Sequence, residues 1–188
     1  MTDYLLAAAQ GIGNFLALYR TESAGAHNTV AEILMESFIY GTVAGVASLF
    51  LMALIYGRLG TRAGGKSTAA PVIHVLTYGG VPLVASLAMW MLTASIVGES
   101  AFVETPRADL EGFLSLFLHI QSVMYVLLLI WSIVLQVMGF SEIQGMPLRK
   151  AFGIWILGQV VGLLASLFLA VSLALLFPGA LLHIFPQR

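Results

Sequence analysis

The sequence predicts an all-α fold, a polytopic bundle of transmembrane helices. Composition is the first reason: 60% of the 188 residues are hydrophobic and 9% are charged, where a soluble domain carries about 25% charged residues. A chain this apolar cannot cover itself in water, so the bilayer becomes its solvent. The second reason is length of run. Four apolar stretches, roughly 37–57, 72–97, 113–137 and 151–177, each reach the ~20 residues needed to cross a hydrocarbon core about 30 Å thick. The third is physical. Backbone polar groups in lipid must bond within their own segment, which selects helices over isolated strands.

Residues 1–36 precede the long runs. Asp3, Gln10, Asn14 and Thr21 fall on one line at helical spacing, and Leu5, Ile12, Phe15, Leu16 and Tyr19 cover much of the rest. Gly11 and Gly13 weaken this helix, and its apolar part is short. The expectation is an interfacial helix, with a short fifth span or a re-entrant piece as the alternative. Asp3 stands where a cleaved signal peptide would be positive, so insertion is expected to use uncleaved spans.

Lys and Arg in short loops set orientation. Arg58, Arg62 and Lys66 follow the first run, and Arg149 and Lys150 follow the third. With four spans, both groups lie on one side, facing Arg20, Arg107 and Arg188 on the other. Glu22, Glu32, Glu36, Glu99, Glu104, Asp109 and Glu111 lie opposite the basic loops, as does Asp3 if the first helix does not cross. The expected orientation places the basic loops in the cytoplasm, probably not by chance of composition alone but by the rule of positive loops, and the C-terminus outside; a prokaryotic inner membrane is the expected location. The five basic residues are expected to touch lipid headgroups.

The loop at 60–68 contains Gly60 and Gly65-Lys66-Ser67 at phosphate-loop spacing. That motif needs a strand before it and a βαβ unit around it. Neither is predicted, so headgroup contact is the preferred reading.

Small residues recur every fourth position in the fourth run: Gly158, Gly162, Ser166, Ala170 and Ala174. Ser37, Gly41 and Gly45 form a shorter version in the first. Such stripes let helix backbones approach in lipid, either within this chain or against another subunit. Gln121, Tyr125, Ser132 and Gln136 share a narrow sector of the third run. With Gln159 of the fourth, they predict a polar seam between these two spans, Gln159 lying near Ser132. Gly79, Gly80 and Pro82 predict a kink or break in the second run, because proline cannot donate to the carbonyl of Tyr78.

No nucleophile–base spacing, HExxH or paired intramembrane carboxylate is present, and no Asp, Glu, Lys or Arg lies deep in a predicted span. The chain has no cysteine. His74 is predicted on the opposite side from His119 and His183, which argues against a bis-histidine haem. The sequence thus predicts no enzyme, no metal and no cofactor. A net charge of −1 gives nucleic acid nothing to bind.

The stretch 128–152 resembles the Yip1 family of small multi-pass membrane proteins. The likeness lies in Trp131, Leu135, Gly139, the polar turn from Ser141 to Gly145, Leu148 and Ala151. Tyr78, Gly79 and Pro82 resemble the Tyr-Gly-Pro element of the eukaryotic branch at a different spacing, and that element is not carried over. The resemblance implies five spans, a cytoplasmic N-terminus and a C-terminus across the membrane. Eukaryotic members carry a long hydrophilic N-terminal region linked to Rab GTPases. This sequence lacks such a region, which implies a prokaryotic-type member without Rab binding. The implied function is a non-enzymatic scaffold that organises membrane components through helix and lipid contacts. Its implied partners are lipids and other integral membrane proteins or further copies of itself. The alternatives are an accessory subunit of a respiratory or photosynthetic complex, and a small transporter or channel using the polar seam.

Overall fold

The computed structural model describes residues 1–21, 29–98 and 111–176. They form six helices: α1 (Thr2–Thr21), α2 (Val30–Arg62), α3 (Ala69–Gly79), α4 (Val81–Val97), α5 (Glu111–Gln144) and α6 (Leu148–Leu176). Three of them, α2, α5 and α6, are long and apolar enough to cross a membrane, and α3 with α4 makes a fourth if the bent pair is one span. That is consistent with an integral membrane protein.

The helices outrun the apolar stretches that predict them. α2 has 33 residues, about 50 Å at 1.5 Å per residue. It takes in Glu32 and Glu36 at one end and Arg58 and Arg62 at the other. Its start is fixed by a capping box: the Thr29 hydroxyl accepts from the Glu32 amide at 3.3 Å, and the Glu32 carboxylate accepts from the Thr29 amide at 2.8 Å.

α1 lies antiparallel along α2. Its Ala7 and Gly11 meet Gly45 and Gly41 of α2, and near its start Tyr4 stacks on Phe50 with ring centroids 5.7 Å apart. The glycines that weaken α1 as a sequence are its contact points in the fold. Gly11 faces Gly41, and Gly13 faces Ser86 and Leu87 of α4.

The second predicted span is broken. α3 and α4 meet at a 42° bend on Gly80, with Pro82 in the first turn of α4. Proline fits there because an amide in that turn has no helical acceptor. The bend sends the two halves to different neighbours. α3 packs on α1, α2 and α5, whereas α4 packs on α1 and α5. α6 packs on α2 and α5.

Two apolar cores result. One joins Ala53, Tyr56, Val72, Val137, Phe140, Met146, Ala151 and Ile154 near the basic loops. The other joins Leu16, Ile33, Trp90 and Ala94 toward the opposite end.

Candidate functional site

The two basic loops are one structure. Gln144, the last residue of α5, is buried and inserts its amide into the loop between α2 and α3. Its Oε1 accepts from the Ser67 amide at 3.0 Å, its Nε2 donates to the Ser67 carbonyl at 3.2 Å, and its own carbonyl accepts from the Lys66 amide at 3.3 Å. Gly60 and Gly65 make room, since a Cβ on either would run into the Gln144 side chain. Lys150 donates to the Ala63 carbonyl, closing the same joint from α6.

This arrangement explains why the glycine pattern at 60–67 does not form a phosphate cradle. Such a cradle needs inward-facing amides without partners. Here the Gly65 amide donates to the Gly60 carbonyl, and the Lys66 and Ser67 amides donate to Gln144. The glycines admit an amide side chain instead.

Arg58, Arg62, Lys66, Arg149 and Lys150 are all exposed at this end. Among the described residues, none is in an ion pair with a carboxylate. Glu142 also lies here, exposed near the end of α5, so the acidic residues do not all sit opposite the basic loops.

The small-residue stripes are used inside the chain where they are described. Gly41 and Gly45 receive α1. Gly158 receives the ring of Tyr56, and Gly162 receives Met52, both from α2. Ser37 is buried and Ser166 is exposed. The side chains of Ala170 and Ala174 lie outside the described residues, as does His183.

The predicted polar seam is redistributed. Gln136 donates to Ser132 one turn back at 3.2 Å, and its Oε1 accepts from Trp155 of α6 at 3.2 Å. Gln121 accepts from Thr93 of α4 at 3.2 Å. Tyr125 is half-buried. Gln159 does not reach Ser132. It bonds to the Tyr56 side chain of α2, whose hydroxyl also donates to the Trp155 carbonyl at 3.0 Å. Depth along α6 matches Ser132, but the face of Gln159 is turned to α2, which periodicity within one helix does not reveal.

The bend is held from both sides. Gly79 lets α5 close in, so that a Cβ there would lie 3.0 Å from the Gln136 amide nitrogen. Gly80 makes room for Gln10 of α1, whose amide donates to the Thr77 carbonyl at 3.4 Å. One turn away, Asp3 accepts from the Thr77 hydroxyl at 2.9 Å and lies 3.1 Å from His74 Nδ1. The antiparallel packing of α1 thus carries Asp3 to the same end as the basic loops. A carboxylate does lie beside the second predicted span, contrary to the expectation from the runs alone, because it comes from a different helix. His119 bonds to the Ser115 carbonyl of its own helix at 2.6 Å. Among the described residues, no cluster of three potential metal ligands occurs.

Comparisons with family models, curated proteins and solved structures find no match to this chain.

Proposed function

We propose that this chain is a non-enzymatic integral membrane protein of Yip1-like type that organises membrane components through helix and lipid contacts. The observation that carries the reading is the use made of its amides. Gln10, Gln121, Gln136, Gln144 and Gln159 each reach a group on another helix or loop. Polar groups spent on joining helices are not available to line a wet path. Large apolar side chains on α5 and α6, such as Val123, Trp131, Leu163 and Phe168, are left exposed, and in a bilayer they meet lipid or another membrane helix.

In this reading α1 crosses beside α2 as the fifth span, because it follows α2 over its whole length. The basic end faces the cytoplasm, and Arg58, Arg62, Lys66 and Arg149 meet anionic headgroups there. A prokaryotic inner membrane fits this arrangement.

A second reading, an accessory subunit of a larger membrane complex, is favoured by α6. Its first half packs through Ala151, Ile154, Gly158 and Gly162, while Leu163, Leu164, Leu167, Phe168 and Leu169 beyond them are exposed.

Flux measurements separate both readings from a transporter. Vesicles reconstituted with the protein should be no more permeable to ions and small neutral solutes than empty ones. A solute flux abolished by Gln136→Leu would overturn the proposal.

A further inference from the structure

We infer that Asp3 and His74 form a proton-binding site that fastens α1 to the bent span. The pair joins the first turn of α1 to the second turn of α3, residues 71 positions apart in sequence. Asp3 is largely hidden, with 14% of its side chain exposed, whereas His74 is 64% exposed. The carboxylate is therefore fixed inside the joint, and the imidazole reaches out to exchange protons. A carboxylate only accepts, so the Nδ1 facing it carries a proton, and the second proton of the charged form goes to Nε2. Thr77, buried, supplies the other hydroxyl bond to Asp3.

The position gives the proton a structural consequence. Asp3 lies beside Thr77, eight residues and about 12 Å into the helical segment that starts at Ala69. The Thr77 carbonyl is the acceptor for Gln10, which fills the space over Gly80 at the bend. The proton site and the bend therefore share one residue, and loosening α1 uncovers the break in the span.

With His74 charged, the joint holds an ion pair and a charge-assisted hydrogen bond, about twice as strong as the neutral kind. As pH rises and His74 loses its proton, that added hold is lost. The other ionisable groups near the pair are the amino terminus and Tyr4 from α1, and Tyr78 from α3, whose ring centroid lies 6.5 Å from that of His74. The facing stretch of α2 from Gly45 to Phe50, all of α4, and α5 from Ile130 to Gly139 carry no ionisable side chain.

The test is the thermal midpoint of the full chain in lipid nanodiscs at pH 6 and pH 8.5. The wild type should lose about 2–4 °C on going to the higher pH, the shift expected of a modest interaction in a chain of this size. Asp3→Asn and His74→Gln should show no such fall, and both keep the amino terminus and the tyrosines as internal controls. If Asp3→Asn does not fold, His74→Gln alone decides. A wild-type midpoint that does not fall, or an equal fall in His74→Gln, would overturn the inference.

Discussion

Gly41 of α2 and Ile12 of α1 pass so closely that a Cβ on Gly41 would lie 2.6 Å from the Ile12 Cα. Nothing flexible stands at that contact, only backbone. Gly41→Leu should therefore push α1 off α2, and a rigid overpacked contact costs about 1–3 kcal/mol. The chain has no native cysteine, so a disulfide between cysteines introduced at Tyr4 and Phe50 reports on the pairing directly. It should form in the otherwise unchanged chain and fail in the Gly41→Leu background.

Gln144 makes the second prediction. Replacing it with Ala removes the partner of both the amide and the carbonyl of Ser67, which is itself buried. Leaving such groups unpaired costs about 1–3 kcal/mol. Chemical unfolding in detergent should register that loss. Gln159→Ala, at an exposed position, should cost much less. Equal losses would mean that the joint between the basic loops is not a principal fastening.

The start of α2 makes the third. Thr29→Ala removes both arms of the capping box, and a lost cap costs about 1 kcal/mol. Amide hydrogen exchange should quicken over the first turns of α2 and stay unchanged near Arg58.

These three sites differ in how far the sequence reveals them. The all-α class, the apolar runs and the break around Gly80 follow from composition, length and proline chemistry, all of which are local. The Thr29-x-x-Glu32 box was also there to be read, since its spacing is a known helix start, and it would have extended the first span toward its true beginning. Gln144 carried no local mark of its role. A glutamine beside a polar turn looks like any solvated helix end until the loop from 60 to 67 is folded over it. Asp3 was hidden for the same reason. Its partners lie on α3, and only the antiparallel course of α1 brings them together. The seam misplaced Gln159 because one helix's periodicity fixes which residues share a face but not which neighbour that face meets.

The basic end makes the fourth prediction. Changing Arg58, Arg62, Lys66 and Arg149 to Gln removes four cations, each contributing about 1 kcal/mol near an anionic surface. The variant should lose its preference for anionic over zwitterionic phospholipid, measured by the lipids retained after exchange into mixed nanodiscs. Raised salt should weaken the wild-type preference in the same direction.

The most direct test of the organising role is native mass spectrometry of the protein released from its own membrane without delipidation. The account predicts anionic phospholipid bound to the chain, together with further copies of it or with other membrane polypeptides in fixed ratio. A lone monomer carrying no lipid would contradict it.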